Sequence, residues 1–247
     1  VVSYPSNPTN KIGDGVLYKG YTVGDIWGYV TGGILQEGDF DGVGANGKPL
    51  YHGPYFKGGQ AYPGYIWYQD LDHDGVITTG LNTVDDPGDR KVIGNNAPRY
   101  RYNITANFQY KGFDLDLMFQ GVGKRDYWLS STSSYWGNGA GSWEVYNNSW
   151  TPERTDAKFP MYGSGTGSYP QTGYLLDASY IKLKQVILGY TFPRALINKI
   201  GLEKLRLNLA AYNLFTISDM PKYYDADYLS DAYPPKRTFS VGIQVGF

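Results

Sequence analysis

From Thr238 to Phe247 the chain alternates without exception: Phe239, Val241, Ile243, Val245 and Phe247 are apolar, and Thr238, Ser240, Gly242, Gln244 and Gly246 between them are polar or small. A period of two is the period of a strand, so this segment has one apolar and one polar face. The same period governs Leu205, Leu207, Leu209 and Ala211, set against Arg206, Asn208, Ala210 and Tyr212. It governs a hairpin too. Tyr100, Tyr102, Ile104, Ala106, Phe108 and Tyr110 form an apolar row, Lys111-Gly112 is a turn, and Phe113, Leu115, Leu117 and Phe119 continue the row. Behind them stand Asn103, Thr105, Asn107, Gln109, Asp114, Asp116 and Gln120. Segments of about ten alternating residues are what a tilted membrane-spanning strand requires. Tyr100, Tyr102 and Tyr110 at the row's ends fit an aromatic girdle.

Between Ser179 and Phe192 the apolar phase changes, from Ile181 and Leu183 to Val186, Leu188, Tyr190 and Phe192. A bulge near Lys184 would restore one face. Pro193 ends this strand, and residues 195–204 make a short connection to the next. Residues 124–177 and 213–236 are long Gly-, Ser-, Asn- and Tyr-rich stretches, read as surface loops. Long loops alternating with short turns suit a membrane barrel better than a compact soluble domain.

Composition sharpens this reading. Among 247 residues there are 25 Tyr, 10 Phe and 33 Gly but three Met, a mix for strands and turns. No apolar run is long enough for a spanning helix, and the mean hydropathy of −0.42 is silent about a barrel, whose strands are only half apolar. The absence of cysteine excludes disulfides, thiolate metal sites and thiol nucleophiles. With a net charge of −1 and no basic cluster, nucleic acid is not an expected partner. His52 and His73 lack the neighbours of a catalytic triad, Gly163 to Gly167 lacks the strand and helix of a phosphate loop, and Asp114 and Asp116 read as solvated acids of a strand. No enzyme is expected.

One motif carries metal chemistry. Asp70, Asp72, Asp74 and Gly75 open a calcium loop, in which carboxylates at positions one, three and five and the Val76 carbonyl at position seven converge on a hard cation. Position twelve is Leu81, which cannot close it, so a later acid, Asp85, Asp86 or Asp89, must. Trp128, Tyr135, Trp136, Trp143, Tyr146 and Trp150 form a second group, dense enough to stack on sugars or peptides, pack on a partner, or pack within the loop.

Six segments, in order, resemble one family. They are Gly24-Asp25-Ile26-Trp27-Gly28-Tyr29 with Gly33-Ile34-Leu35-Gln36; Pro63 to Ile77; Tyr110 to Leu115; Asp177 to Lys184 with Leu188 to Pro193; Asn213-Leu214-Phe215-Thr216; and Tyr233 to Phe239. Together they are similar to the SusC/RagA-type TonB-dependent transporters of Bacteroidetes outer membranes. The resemblance implies an all-β, antiparallel C-terminal portion of a 22-strand transmembrane barrel with long extracellular loops, residues 63–94 being a calcium-loop-like surface insertion. It implies a plug and TonB-contacting part elsewhere in a longer protein, a SusD-like lipoprotein partner, membrane lipid around the wall, and import of glycans or peptides at the bacterial outer membrane. Asp89, before Val92-Ile93-Gly94, takes the place of the family's closing acid after an apparent insertion over residues 79–88. Asp225-Ala226-Asp227 stands near where the family has Asp-Pro-Glu. Ser240, Gly242, Val245 and Phe247 match the signal read by the barrel-assembly machinery. The competing expectation is an independently folded, soluble all-β carbohydrate-binding or adhesion module with a calcium loop.

Overall fold

The computed structural model describes residues 7, 9–13, 16–128, 143–165, 168–221, 224–229 and 235–247. The chain divides into two compact units: Val1–Ala97 with Asp126–Leu176, and Pro98–Arg125 with Asp177–Phe247.

The first unit is built from short pieces: β1 (Asp25–Tyr29), β2 (Thr31–Ile34), β3 (Tyr55–Phe56), β4 (Ile66–Tyr68), β5 (Val76–Ile77) and β6 (Arg90–Asn95). They pair two by two, β1 with β6 and β2 with β4 antiparallel, β3 with β5 parallel. No pair is large enough to bury an apolar face alone, so the side chains between them form the core. Leu35, Ile66, Tyr68, Ile77 and Phe159 are almost wholly buried. Tyr29, Phe56, Tyr68 and Tyr169 pack ring against ring with centroids 5.0–6.0 Å apart. The polar tips are satisfied: buried Gln171 donates from Nε2 to the Tyr68 hydroxyl (3.1 Å) and accepts from the Thr31 hydroxyl (2.9 Å). Burial pushes the Tyr55 phenol up to about 12, aided by Tyr65.

The second unit contains the long strands β7 (Tyr100–Tyr110) and β8 (Phe113–Gly123), and, after the two-residue strands β9 (Asp126–Tyr127) and β10 (Leu176–Asp177), β11 (Tyr180–Thr191), β12 (Lys204–Ser218) and β13 (Thr238–Gly246). They form one antiparallel sheet in the order β13-β12-β11-β8-β7. Lys111 and Gly112 both take positive φ (46° and 88°), the backbone of a tight hairpin turn matched to strand twist. The bulge lies where the phase change places it: register shifts between Leu183 and Gln185 against both neighbours. β12 runs on to Ser218, into the stretch read as loop from residue 213.

Register aligns the apolar residues into rows across the sheet. Phe108, Leu115, Leu188, Leu209 and Val241 are successive cross-strand partners, as are Tyr110, Phe113, Tyr190, Leu207 and Ile243. These rows face outward: Phe108 is 59% exposed, Leu209 53% and Val241 75%. On the other face, Asp114 and Arg206 form an ion pair at 2.6 Å, and Asn107 donates to Asp116. These are the two acids read as strand-face residues; both are engaged by neighbours on that face. The polarity of a water-soluble sheet is thereby reversed.

Candidate metal site and barrel wall

The Asp70–Gly75 turn is wound by its own carboxylates. Asp70 accepts N–H donors from His73 (2.7 Å) and Gly75 (2.8 Å), Asp72 accepts from Asp74 (3.2 Å), and Asp74 accepts from Val76 (2.8 Å). Position twelve of a regular loop is lost because residues 79–88 make a closed excursion, tied off by the Arg90 guanidinium on the carbonyls of Pro87 (3.3 Å) and Thr79 (3.1 Å) and on Asn82 Oδ1 (2.7 Å). That returns Asp89 to Thr78, whose carbonyl accepts the Asp89 N–H at 3.2 Å. Fully buried Asp89 is then fixed by two backbone donors, Leu71 (2.8 Å) and Thr78 (2.7 Å).

Carboxylate oxygens of Asp70, Asp72 and Asp89 all lie within 4.8 Å of one another. The structure thus brings together three of the five residues expected to ligate, and neither Asp85 nor Asp86 is in that group. Asp74 stands outside the group, its carboxylate turned to the Val76 N–H, and Val76 itself lies in β5 opposite Tyr55. Electrostatics mark the crowding. Desolvation first, then the like charges of Asp89, Asp74 and Asp70, raise the Asp72 pKa; at Asp70 the upward push of desolvation is outweighed by the Gly75 and His73 N–H groups, and the net shift is down. An all-oxygen set suits a hard cation of the calcium type.

The aromatic group disperses. Trp128 is half-buried; Trp143 is 77% exposed at the head of the single-turn helix α1 (Trp143–Asn147), edge-on to Tyr146, which meets Tyr162. Trp150 is buried, with its indole N–H donated to Gln36 Oε1 at 2.9 Å, so packing within the unit describes it rather than presentation to a ligand. Tyr135 and Trp136 lie outside the described residues.

The strand in which an assembly signal was expected pairs along one edge only among the described residues: Ser240 opposite Ala210, Gly242 opposite Asn208, Val245 opposite Leu205, with Phe247 just beyond it, 87% exposed. A methyl group at Gly242 would clash with Asn208 Oδ1, so a glycine there lets a polar-face amide lie across the strand. Sequence reasoning missed the cluster of Lys182 and Lys184 with Asp225 and Asp227, at 2.7 Å for each main pair. The repeated spacing, Lys-x-Lys and Asp-x-Asp, was the available signal.

An antiparallel sheet with an apolar outer face, a charged inner face and, among the described residues, two unpaired edge strands, β7 and β13, is part of a transmembrane barrel wall. Comparison with known proteins identifies which barrel. TonB-dependent receptor P3 of Formosa agariphila is 30% identical over 249 residues, covering 94% of this chain and 23% of the receptor. TonB-dependent receptor SusC of Bacteroides thetaiotaomicron is 26% identical over 241 residues, covering 88% and 23%. The solved RagAB peptide importer in its open-open state matches 90% of this chain and 22% of its own, with TM-score 0.56 at 22% identity. No protein-family model matches. The chain belongs to the SusC/RagA-type TonB-dependent receptors, outer-membrane proteins, as the sequence led us to expect, and it spans about a quarter of the length of these relatives.

Proposed function

We propose that the chain is barrel wall and surface loop of an outer-membrane importer that takes up oligosaccharides or peptides, works with a SusD-like lipoprotein and is energised by TonB through another part of the receptor. The observation that carries this is the two-faced sheet. Its apolar rows gain nothing from water, whereas lipid satisfies them and leaves the Asp114–Arg206 face to line an aqueous interior. The likeness to TonB-dependent receptor SusC and to the RagAB peptide importer supports the import reading, and the latter's name supplies peptides as one cargo class. Loops of the first unit would face the exterior, where exposed Trp143 and Tyr146 can stack on cargo or pack on the lipoprotein. Asp114 is paired with the Arg206 guanidinium, as an acid on a polar barrel face would be.

The test is an immunoblot of outer-membrane fractions, boiled and unboiled, with an antibody against the first unit. A heat-shifted band far larger than 27.6 kDa is expected. A soluble band of 27.6 kDa would return the chain to the adhesion-module reading.

We also propose that Asp70, Asp72 and Asp89 hold a structural calcium ion, whose charge would offset both the desolvation and the like-charge repulsion that raise the Asp72 pKa. Calcium is expected to raise the melting temperature of the receptor, and Asp72→Ala to abolish the rise. A wild-type melting temperature indifferent to calcium, with magnesium as the control, refutes the site.

A further inference from the structure

Between β12 and β13, residues 224–229 are fastened to the polar face of the sheet. Lys182 Nζ meets Asp225 Oδ2 at 2.7 Å and Asp227 at 3.9 Å; Lys184 Nζ meets Asp227 Oδ2 at 2.7 Å. The Tyr180 hydroxyl donates to the other oxygen of Asp227 at 2.5 Å, and Gln120 donates to the same oxygen at 3.4 Å. Arg125 donates to the carbonyls of Ala178 (2.9 Å) and Ala226, tying the segment to the strand entry as well.

This is a built arrangement. Lys182 is 2% exposed and Lys184 22%, and the buried ammonium requires an anion, because an unpaired buried charge is costly. The bulge at Lys184 serves the same end. A regular strand would carry one phase throughout; the extra residue keeps Lys182, Lys184 and Gln185 off the apolar rows while Leu183 and Val186 stay on them. The segment is preformed to match: its Tyr228 and Leu229 N–H groups bond the Asp225 carbonyl (3.2 and 3.0 Å), and the Asp227 N–H bonds Asp225 Oδ1 (2.8 Å), holding the two acids two residues apart opposite the lysines. Ion pairing also settles Asp227: desolvation would raise its pKa, but the Lys184 hydrogen bond, the Tyr180 hydroxyl and the lysine charges lower it.

We propose that residues 224–229 form a strap on the inner face of the barrel, latched by Lys182–Asp225 and Lys184–Asp227, so that this segment lines the lumen instead of projecting outward. The proposal rests on the barrel reading, in which the polar face is the inner one. The strap is a conformational device: its hold depends on charges that a cargo group of either sign could compete for.

Hydrogen exchange of the full-length receptor in detergent, read by mass spectrometry over residues 224–229, tests it. In wild type the Asp227, Tyr228 and Leu229 amides should be protected. In Asp225→Asn/Asp227→Asn they should exchange at least about tenfold faster while β11 and β12 keep their protection. Should that variant fail to assemble, Lys184→Gln, which removes only the outer pair, should give an intermediate increase. Fast exchange in wild type, or unchanged exchange in the variant that assembles, overturns the strap. The boiled-versus-unboiled band shift is read on the same samples: retained with fast wild-type exchange, the barrel stands and only the strap falls.

Discussion

The two units place the same residue types in opposite positions. In the first, Tyr, Phe and Ile turn inward: Tyr68, Ile66 and Phe159 are almost fully buried, and short strand pairs are held by what lies between them. In the second, Phe, Leu, Val and Tyr turn outward in rows while Arg206, Asp114, Lys182 and Asp225 pair on the other face. Burying one such apolar side chain stabilises by about 1.5–3 kcal/mol, so a unit that displays whole rows of them is completed by something other than water. The first unit is folded by the hydrophobic effect within itself. The second closes its backbone ladders within the sheet and awaits lipid on one face and further strands at its edges.

The contrast breaks most sharply at Phe159, which is 0% exposed and stacks on Tyr174 at 5.7 Å. Phe159→Ala should cost the first unit about 3–5 kcal/mol, through lost transfer energy and the cavity left behind. Urea unfolding of the receptor, followed by exchange of the first unit's amides, reads this out. A loss under about 1 kcal/mol would mean that this core does not hold the unit.

Next in size is Val241→Arg. On the lipid-facing row a cation should cost about 2–4 kcal/mol near the bilayer centre, measured by unfolding in liposomes. Gln244→Glu, on the other face and opposite Arg206, should change stability by less than about 0.5 kcal/mol. Equal effects for the two substitutions would erase the distinction between faces, and with it the membrane reading of the sheet.

What could be read beforehand follows the same division. A strand's period is local, so the rows, the Lys111-Gly112 turn and the bulge at Lys184 were legible residue by residue. Asp89 was reachable because the resemblance placed an acid before Val92-Ile93-Gly94, although spacing alone left Asp85 and Asp86 open. The first unit was opaque, since its strands are two to six residues long and its core joins Gln36 to Trp150 and Thr31 to Gln171 across more than a hundred positions. No period reports such contacts. Trp150 in particular carries the same letter as Trp143, and only burial separates the packed indole from the exposed one. The lysine and aspartate pairs were hidden for the same reason, being 43 residues apart.

The smallest expected effect tests whether the sheet is locally determined. Gly112 has φ 88°, where an L residue is strained, and its carbonyl accepts the Thr191 N–H at 2.8 Å, so the turn also receives the end of β11. A methyl group there would meet the Thr191 carbonyl oxygen at 2.8 Å, pressing on the same junction. Gly112→Ala should therefore destabilise by about 1 kcal/mol from the backbone alone, with local exchange rising at Tyr110 to Phe113 and at Thr191. Lys111, at φ 46°, supplies the reverse case: Lys111→Asn, a residue that tolerates the left-handed region, should be neutral or slightly stabilising. If Gly112→Ala costs nothing, the turn follows from the pairing of the strands it joins; if it costs the expected amount while Lys111→Asn does not, the turn sequence itself sets the register on which every apolar row depends.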